Sequence, residues 1–272
     1  MNFAIYQASR IGGRQYNQDR AAYAYSDQSL LLVLADGMGG HLYGEIAAQL
    51  TIQIFVEAFE RRALPRVENP VAFLRDTMQA AHAAIIDYAL TQRLGGNPGT
   101  TCAVALIQDG KACWAHAGDS RIYVLRDGKV VDKSHDHSMV QQWADWGIIP
   151  VDEMRTHPDR NKITNCLGGV GDMFFVESSV TMPLQQGDIL LLCSDGFWGP
   201  LTDMEMAAEL TVAPRAAQLN LALEHLMTES VTRSGTGADN TTAIVARWGD
   251  NEKAHSSLSP VIAILDCLDF HQ

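Results

Sequence analysis

Two long runs of apolar residues, each ended by an Asp-Gly step, dominate the pattern of hydrophobic and polar positions. The first is Leu30-Leu31-Leu32-Val33-Leu34-Ala35, followed by Asp36-Gly37, and the second is Ile189-Leu190-Leu191-Leu192-Cys193-Ser194, followed by Asp195-Gly196. An apolar run of this length bounded by glycine indicates a strand that is buried on both faces. We therefore expect Asp36 and Asp195 to be held by the core where strands emerge toward solvent.

Further strands and amphipathic helices fill the rest of the chain. The pattern predicts strands at residues 3–9, 20–26, 29–35, 100–108, 111–118, 121–126, 173–181, 188–194 and 241–248. Two helices between the third and fourth strands are predicted from apolar residues at three- and four-residue spacing, namely Ala47, Leu50, Ile54 and Ala58, then Val71, Leu74, Met78, Ala81, Ile85 and Ala89. Pro214 suits the first turn of a later helix through Leu219, Leu223 and Leu226. This order predicts an α/β (α+β) layered sandwich, in which two mainly antiparallel sheets pack centrally and helices flank them.

The organisation of the chain is continuous up to its last twenty or so residues. No low-complexity linker or repeat interrupts residues 1–250, so we expect one domain there. The tail over residues 251–272 contains Ser256-Ser257-Leu258-Ser259-Pro260 and then the apolar residues 261–268. It is either a docked terminal helix or a segment that binds a partner, and docking is the expectation.

Composition excludes several classes of function. Hydrophobic residues make up 47% and charged residues 19% of the chain, which is typical of a globular protein. The net charge of −12, from 20 basic and 32 acidic residues, argues against a nucleic-acid surface, because such a surface needs a basic stripe. No run is long enough to span a bilayer, and Met1-Asn2-Phe3-Ala4-Ile5 does not resemble a secretion signal. We expect a cytoplasmic protein with no membrane contact.

The five cysteines show no metal or redox spacing, since none form Cys-x-x-Cys. Cys102 and Cys113 lie nearest to one another in the pattern, on strands joined by Asp109-Gly110. A two-residue turn pairs Gln108 with Lys111 and therefore Cys102 with Ala117, which leaves the two cysteines four positions apart and too distant for a disulfide. All five are expected to be reduced.

Asp36 and Asp195 have a plainer interpretation as turn residues. Asp-Gly is a common hairpin turn, and both Asp109-Gly110 and Asp127-Gly128 join one strand directly to the next. Asp36 and Asp195 are followed instead by irregular, glycine-bearing loops that lead toward helical segments. This difference favours a functional site at their positions, while the turn interpretation stays open.

Two further aspartates and one arginine strengthen the case for a metal site. Asp119 lies in Gly118-Asp119-Ser120-Arg121 between two predicted strands, and Asp239 opens the last strand. Each alone is equally an Asx-turn residue. Four aspartates at strand ends, with no cysteine pair or histidine cluster, make an all-oxygen site that suits Mg²⁺ or Mn²⁺. Arg14 lies in a glycine-flanked loop, and its guanidinium matches two phosphate oxygens, although an ordinary surface arginine fits the same segment.

The ordered motifs resemble those of the metal-dependent Ser/Thr protein phosphatases of type 2C (PPM), in the compact bacterial form. The resemblance covers residues 5 to 248. The motifs are Arg14-Gln15-Tyr16-Asn17-Gln18-Asp19, Asp36-Gly37-Met38-Gly39-Gly40-His41, Gly99-Thr100-Thr101, Gly118-Asp119-Ser120-Arg121, Asp136-His137-Ser138, Leu167-Gly168-Gly169, Ser194-Asp195-Gly196 and Asp239-Asn240-Thr241-Thr242.

The resemblance implies a role for each matching residue. Asp36 bridges two metals, and the carbonyl of Gly37 completes one coordination shell. Asp195 and Asp239 hold the second metal, and Asp19 acts through water. Asp119 with Asp195 binds a weaker third metal, and Arg14 holds the phosphate. The implied reaction is hydrolysis of phosphoserine or phosphothreonine by direct attack of a hydroxide bound to two Mn²⁺ or Mg²⁺ ions.

One residue departs from the motif of eukaryotic relatives. They often carry a histidine, proposed to protonate the leaving group, where this chain has Met38, and methionine cannot donate a proton. His41 is the nearest histidine, but Gly39-Gly40 separates it from Met38. Residues 138–165 resemble the variable flap beside the site, although a plain helix pair has the same composition.

The resemblance also implies partners and leaves two other functions open. Bacterial relatives usually oppose a Ser/Thr kinase, so we expect phosphoprotein substrates, a cognate kinase and a monomeric enzyme. One alternative is a phosphatase that acts on a small phosphoester or on a partner-switching regulator. The other is an inactive relative that binds phosphoproteins.

Overall fold

A computed structural model describes residues 1–38, 43–63, 65–169, 174–212, 216–253 and 261–265. Its strands are β1 (Asn2–Arg10), β2 (Asp19–Tyr25), β3 (Ser29–Asp36), β4 (Cys102–Gln108), β5 (Lys111–Ala117), β6 (Arg121–Arg126), β7 (Lys129–Lys133), β8 (Glu177–Ser178), β9 (Met182–Pro183), β10 (Ile189–Cys193), β11 (Thr241–Lys253) and β12 (Val261–Leu265). They form a five-stranded sheet in the order β1-β11-β10-β6-β7 and a seven-stranded sheet in the order β12-β2-β3-β4-β5-β8, with β9 also on β5. The strand pairs are antiparallel in both sheets.

Six helices flank these sheets among the described residues. They are α1 (Gly44–Arg62), α2 (Pro70–Thr91), α3 (Met139–Asp145), α4 (Asp195–Trp198), α5 (Asp203–Val212) and α6 (Ala216–Ser234). Within this described part, no helix has the length and apolar character needed to cross a membrane. The N-terminus of α2 is capped, because the side chain of Asn69 accepts a hydrogen bond from the backbone N–H of Ala72 and Pro70 occupies the first turn.

The two apolar runs are central strands with both faces buried. On β3, Leu31 and Val33 pack against α1 and α2, whereas Leu30, Leu32 and Leu34 fill the layer between the sheets. On β10, Leu191 packs in the core that includes residues of α5 and α6, and its neighbours Leu190 and Leu192 enter the layer between the sheets. The alternation of faces along a strand explains why both runs are continuously apolar. The predicted fold of two central antiparallel sheets with flanking helices is confirmed.

The hairpin of β4 and β5 has the predicted register. Gln108 pairs with Lys111, Cys102 with Ala117 and Cys113 with Leu106. Asp109 and Gly110 in the turn both have positive φ, at 53° and 68°. Cys102 and Cys113 therefore lie four positions apart along the ladder, as predicted, and both are free thiols.

Three local expectations need correction or fall outside the described residues. Of the strand predicted at residues 173–181, residue 173 lies outside the described residues, and among residues 174–181 only Glu177–Ser178 form a strand, which pairs with β5 at the sheet edge. The helix expected in the tail is wrong for Val261–Leu265, which form strand β12 against β2. Pro214, His41 and residues 254–260 and 266–272 of the tail lie outside the described residues.

Residues 138–165 contain α3 and a short 3-10 turn at Val151–Glu153. Ser138 and Ile163 form an isolated bridge where this segment leaves and rejoins the sheets. Its limits as a flap and those of a single domain over residues 1–250 stay predictions.

Candidate active site

The predicted aspartates meet where strands of both sheets end. Asp19 and Asp36 are directly paired across β2 and β3. They continue the faces of Ala21 and Leu34, which point into the layer between the sheets. From the other sheet, Asp195 follows β10 immediately and Asp239 lies two residues before β11. The site therefore lies at one end of the layer that the two sheets share.

A cavity of about 360 Å³ collects the predicted residues. Its lining consists of Arg14, Asp36, Gly37, Met38, Asp119, Asn161, Ile163, Asp195, Asp239 and Asn240. A neighbouring cavity of about 310 Å³ shares Arg14, Asp119, Asp195 and Asp239 and extends toward Trp198 and residues 154–161. Of the predicted site residues, only Asp19 is absent from both linings, because it is fully buried beside Asp36.

The backbone at Asp36 and Gly37 is fixed by two threonines that follow the second predicted helix. The Thr101 hydroxyl accepts a hydrogen bond from the Asp36 N–H at 3.1 Å, and the Thr100 hydroxyl donates to the Asp36 carbonyl at 2.9 Å. A Cβ on Gly37 would lie 2.5 Å from the carbonyl oxygen of Gly44, so only glycine fits there. These contacts hold the Gly37 carbonyl in one orientation at the cavity wall.

Asp19 carries a buried oxygen that no hydrogen bond satisfies. Its Oδ2 accepts from the Ser194 hydroxyl at 2.9 Å, whereas its Oδ1 is buried without a partner. Buried carboxylate oxygens are normally paired with a donor, water or a cation. An unpaired oxygen at this position fits a role beside a hydrated cation.

Simultaneous ionisation of these carboxyl groups is unfavourable, and their pKa values are raised. Burial, together with repulsion by neighbouring carboxylates, raises the pKa of Asp19 to about 6 and that of Asp195 to about 7. The pKa values of Asp36 and Asp119 are raised well above the usual range, again by burial first and then by Asp19 and Asp195 respectively. Positive charge within the cluster would favour the ionised form of each of these carboxyl groups. The oxygen-only donors of the cluster therefore fit a hard divalent cation such as Mg²⁺ or Mn²⁺.

Arg14 is placed at the mouth of the cavity. Its guanidinium donates to Asp239 at 2.6 Å, and its side chain is 52% exposed. This contact with Asp239 is the main reason that the pKa of Arg14 is raised above its usual value. The guanidinium lies at the cavity rim, where it can meet an anionic group entering from solvent.

Asp119 lies in the short loop between β5 and β6, and contacts from other segments hold this loop. The Trp198 indole N–H donates to the Asp119 carbonyl at 2.9 Å, and the Arg121 guanidinium lies 3.4 Å from the centre of a Trp198 ring. Arg121 makes two hydrogen bonds to Asp136, at 2.8 and 2.7 Å, with both side chains buried. The Asp119 backbone is therefore held directly by Trp198, which stacks against the Arg121 guanidinium that Asp136 binds.

Sequence reasoning gave no individual role to Ser194, Asn240 or Trp198. Asn240 accepts from the Gln18 N–H at 2.8 Å and donates to the carbonyls of Ile11 and Tyr16, which ties the Arg14 loop to β11. Ser194 and Asn240 each lie next to a predicted aspartate, inside a quoted motif. Their position beside Asp195 and Asp239 was the sequence signal that could have identified Ser194 and Asn240.

The sequence profile described as "Protein phosphatase 2C" matches residues 6–232, which is most of the chain. The chain belongs to the protein phosphatase 2C family. A curated 2C-type relative is the serine/threonine phosphatase stp of Listeria monocytogenes, with 31% identity over 205 residues that cover 75% of this chain and 81% of the relative. Hydrolase activity on phosphoproteins and dependence on metal are properties of this family.

Solved structures of 2C-type phosphatases share the fold. The Mycobacterium tuberculosis serine/threonine phosphatase PstP/Ppp superposes with a TM-score of 0.77 at 30% identity, covering 91% of this chain and 99% of that one. A structure of the catalytic domain of PstP in complex with two manganese ions superposes with a TM-score of 0.72 at 28% identity, covering 90% and 99%.

Proposed function

We propose that this 2C phosphatase hydrolyses phosphoserine and phosphothreonine in proteins, using divalent cations held by the aspartates of the cavity. The observation that carries the proposal is the meeting of Arg14 with Asp36, Asp119, Asp195 and Asp239 in one cavity. A phosphate can approach so many carboxylates only if cations lie between them. The name of the Listeria relative, a serine/threonine phosphatase, supports the substrate class.

The proposed cation ligands follow the placement of the oxygens. Asp36 and the Gly37 carbonyl lie on the β3 side of the cavity, and Asp195 and Asp239 lie on the β10 and β11 side. We assign Asp36 as the bridging ligand of two cations and Asp195 and Asp239 as ligands of the second. Asp119 with Asp195 is assigned to a third, weaker cation, and Asp19, whose Oδ1 is buried and unpaired, acts through water.

Mn²⁺ and Mg²⁺ both suit this donor set, and two per active site is the proposed minimum. The PstP catalytic domain, with two manganese ions, supports that number. Such cations supply two effects when bound, a lower pKa for coordinated water and neutralisation of phosphate charge. The protein contributes the rigid strand ends that fix the ligands before substrate arrives.

Arg14 is the proposed phosphate-binding residue. Its contact with Asp239 orients the guanidinium at the cavity rim, and its second edge is available for two phosphate oxygens. Met38 also lines the cavity, and its thioether has no proton to give. We therefore assign no side chain of this lining as the acid that protonates the leaving alcohol.

We extend the proposal to the cellular setting. The enzyme acts as a cytoplasmic monomer in signalling and reverses phosphorylation by a Ser/Thr kinase. The support is the kinship with bacterial proteins that are named serine/threonine phosphatases.

A comparison of substrates tests the proposal. Phosphate release is measured from a phosphothreonine peptide, a phosphoserine peptide and a small aromatic phosphomonoester, each with chelator, Mn²⁺ or Mg²⁺. We expect metal-dependent release with higher kcat/KM on the peptides. Efficient release from the small ester alone would contradict the assignment of protein substrates.

A further inference from the structure

The turn at Gly118 and Asp119 has a backbone conformation that depends on its surroundings. Gly118 has φ of +109°, and a Cβ there would lie 2.6 Å from Cγ2 of Thr101. The orientation of the Asp119 carboxylate follows from this turn. The groups that hold the Gly118 amide therefore help to set where the Asp119 carboxylate lies in the cavity.

His137 holds Gly118 through two hydrogen bonds. The backbone N–H of His137 donates to the Gly118 carbonyl at 2.9 Å, and the Gly118 N–H donates to Nδ1 of the His137 ring at 3.2 Å. The ring is buried, with 5% exposure. The side chain thus serves as a hydrogen-bond acceptor for the residue directly before Asp119.

A second donor determines which ring nitrogen of His137 carries hydrogen. The Asn165 amide N–H donates to Nδ1 at 2.9 Å and also to the Phe175 carbonyl, while its oxygen accepts from the Phe175 N–H. The contacts with Phe175 fix the orientation of the amide. Since Nδ1 faces two N–H donors, it is unprotonated, and the hydrogen resides on Nε2, which donates to Glu177 at 3.2 Å.

This tautomer bears on another interpretation of the same side chains, as ligands of a metal ion. One ligand atom each of His116, His137 and Glu177 lie within 4.8 Å of one another, a spacing that suits a metal ion. The His137 nitrogen that faces Glu177 carries a hydrogen, and the Nε2 of His116 donates to the His135 carbonyl at 2.7 Å. In this tautomer His137 supports the turn and does not offer Nε2 to a cation, whereas Nδ1 of His116 is buried without a hydrogen-bond partner.

The neighbouring residue holds the other side of the same turn. The Asp136 carboxylate accepts hydrogen bonds from Arg121, whose guanidinium stacks on Trp198. The indole N–H of Trp198 in turn donates to the Asp119 carbonyl. Consecutive residues 136 and 137 thus support Asp119 from both directions along the chain.

We infer that His137 is a positioning residue, whose Nδ1 lone pair fixes the Gly118 amide and thereby presents the Asp119 carboxylate to a divalent cation. This inference rests on the proposed function, in which Asp119 is a ligand of the third, weaker cation. It assigns His137 no contact with substrate or cation.

Two substitutions at His137 separate the acceptor from the rest of the ring. In His137→Asn, the amide oxygen can replace Nδ1 as the acceptor for Gly118. In His137→Gln, the longer amide reaches the Nε2 position and leaves the Gly118 N–H without its acceptor. Mn²⁺ binding is measured by the electron paramagnetic resonance signal of free Mn²⁺. We expect wild type and His137→Asn to bind alike and His137→Gln to bind the weakest cation about tenfold less tightly, with the tighter cations unaffected.

A double variant distinguishes positioning from a general structural role. Asp119→Ala removes the weakest binding event if Asp119 is its ligand. His137→Gln in the Asp119→Ala background should then cause no further loss. Weaker binding of the tighter cations in either His137→Gln protein would indicate general distortion and overturn the inference.

The remaining outcomes separate the inference from the proposed function. Absence of any Mn²⁺ binding in wild type overturns both. Normal binding in wild type, with the weakest event lost in Asp119→Ala but unchanged in His137→Gln, overturns the inference alone. Retention of that event in Asp119→Ala also overturns the inference, while the binuclear site stands.

A spectroscopic test needs no variant. Long-range ¹⁵N–¹H correlation spectra of wild type with Mg²⁺ report which nitrogen of each histidine ring carries hydrogen. We expect the Nε2–H tautomer for His137. An Nδ1–H tautomer is incompatible with acceptance from Gly118 and would refute the inference even if His137→Gln failed to fold.

Discussion

Replacing Asp195 by asparagine should stabilise the metal-free protein, and the gain should grow with pH. Burial and repulsion by Asp239 raise the pKa of Asp195 from 3.8 to about 7. The native state therefore holds this proton more tightly than the unfolded state does. The contribution of Asp195 to stability consequently falls as the pH rises from about 4 to about 7. Asparagine does not titrate, so the variant escapes this loss.

The size of the effect follows from the two pKa values. Relative to acidic pH, the raised pKa of Asp195 lowers the free energy of unfolding by about 4 kcal/mol at pH 8 and by about 2 kcal/mol at pH 5. Any constant difference between the two side chains cancels when the two pH values are compared. We therefore expect the stability of Asp195→Asn relative to wild type to increase by about 2 kcal/mol from pH 5 to pH 8.

The assay is urea denaturation in the presence of a chelator, followed by tryptophan fluorescence at pH 5 and pH 8. Asp76→Asn is the matched control, because Asp76 is 53% exposed on α2 and lines neither of the two cavities. Saturating Mn²⁺ at pH 8 should stabilise wild type more than the variant. The reasoning is refuted if the difference between wild type and Asp195→Asn is the same at both pH values.

Three further substitutions test other parts of the account. Arg14→Ala should lower kcat/KM on a phosphopeptide by about 100-fold or more, measured by steady-state kinetics with Mn²⁺. Arg14→Lys should restore little of this loss, because a lysine ammonium cannot bind two phosphate oxygens at once as a guanidinium does. Arg121→Met leaves the buried carboxylate of Asp136 unpaired and should lower the free energy of unfolding by about 3 kcal/mol in urea titrations. Ser194→Ala removes the donor to Asp19 and should raise the Mn²⁺ concentration for half-maximal activity about tenfold.

Each of these has its own control. Wild-type kinetics in Arg14→Ala would remove the arginine from phosphate binding. For Arg121, the added change Asp136→Asn should recover part of the lost stability, and strictly additive losses would contradict a buried pair. An unchanged Mn²⁺ dependence in Ser194→Ala would show that Asp19 needs no support from that hydroxyl.

The layers of the fold were readable from the sequence because burial leaves a local pattern. The runs before Asp36 and Asp195 are apolar at every position, since alternate residues face a helix layer and the second sheet. The register of Cys102 against Ala117 followed from a two-residue turn. Such features depend on residues close together in sequence.

Contacts between distant segments left no comparable pattern. Within the described residues 174–181 of one predicted strand, only Glu177–Ser178 pair as a strand, at the edge of the sheet. Helix and strand patterns also cannot be separated in a short apolar segment such as Val261–Leu265, where pairing with β2 decides the outcome.

The candidate site shows the same division. The aspartates were found because they end strands, and their family motifs added roles. The hydrogen bond of Ser194 to Asp19 and that of Trp198 to Asp119 join segments far apart in sequence. No spacing along the chain encodes such contacts, so they required the structure.

Carboxylates of this cavity are proposed to hold the cations needed for hydrolysis of phosphoproteins. The most direct measurement is release of phosphate from a phosphothreonine peptide, with and without Mn²⁺, by wild type, Asp195→Asn and the control Asp76→Asn. We predict release that depends on Mn²⁺ in wild type and the control and is abolished in Asp195→Asn. Folded wild type that releases no phosphate at saturating metal, or Asp195→Asn that retains full activity, would contradict the claim.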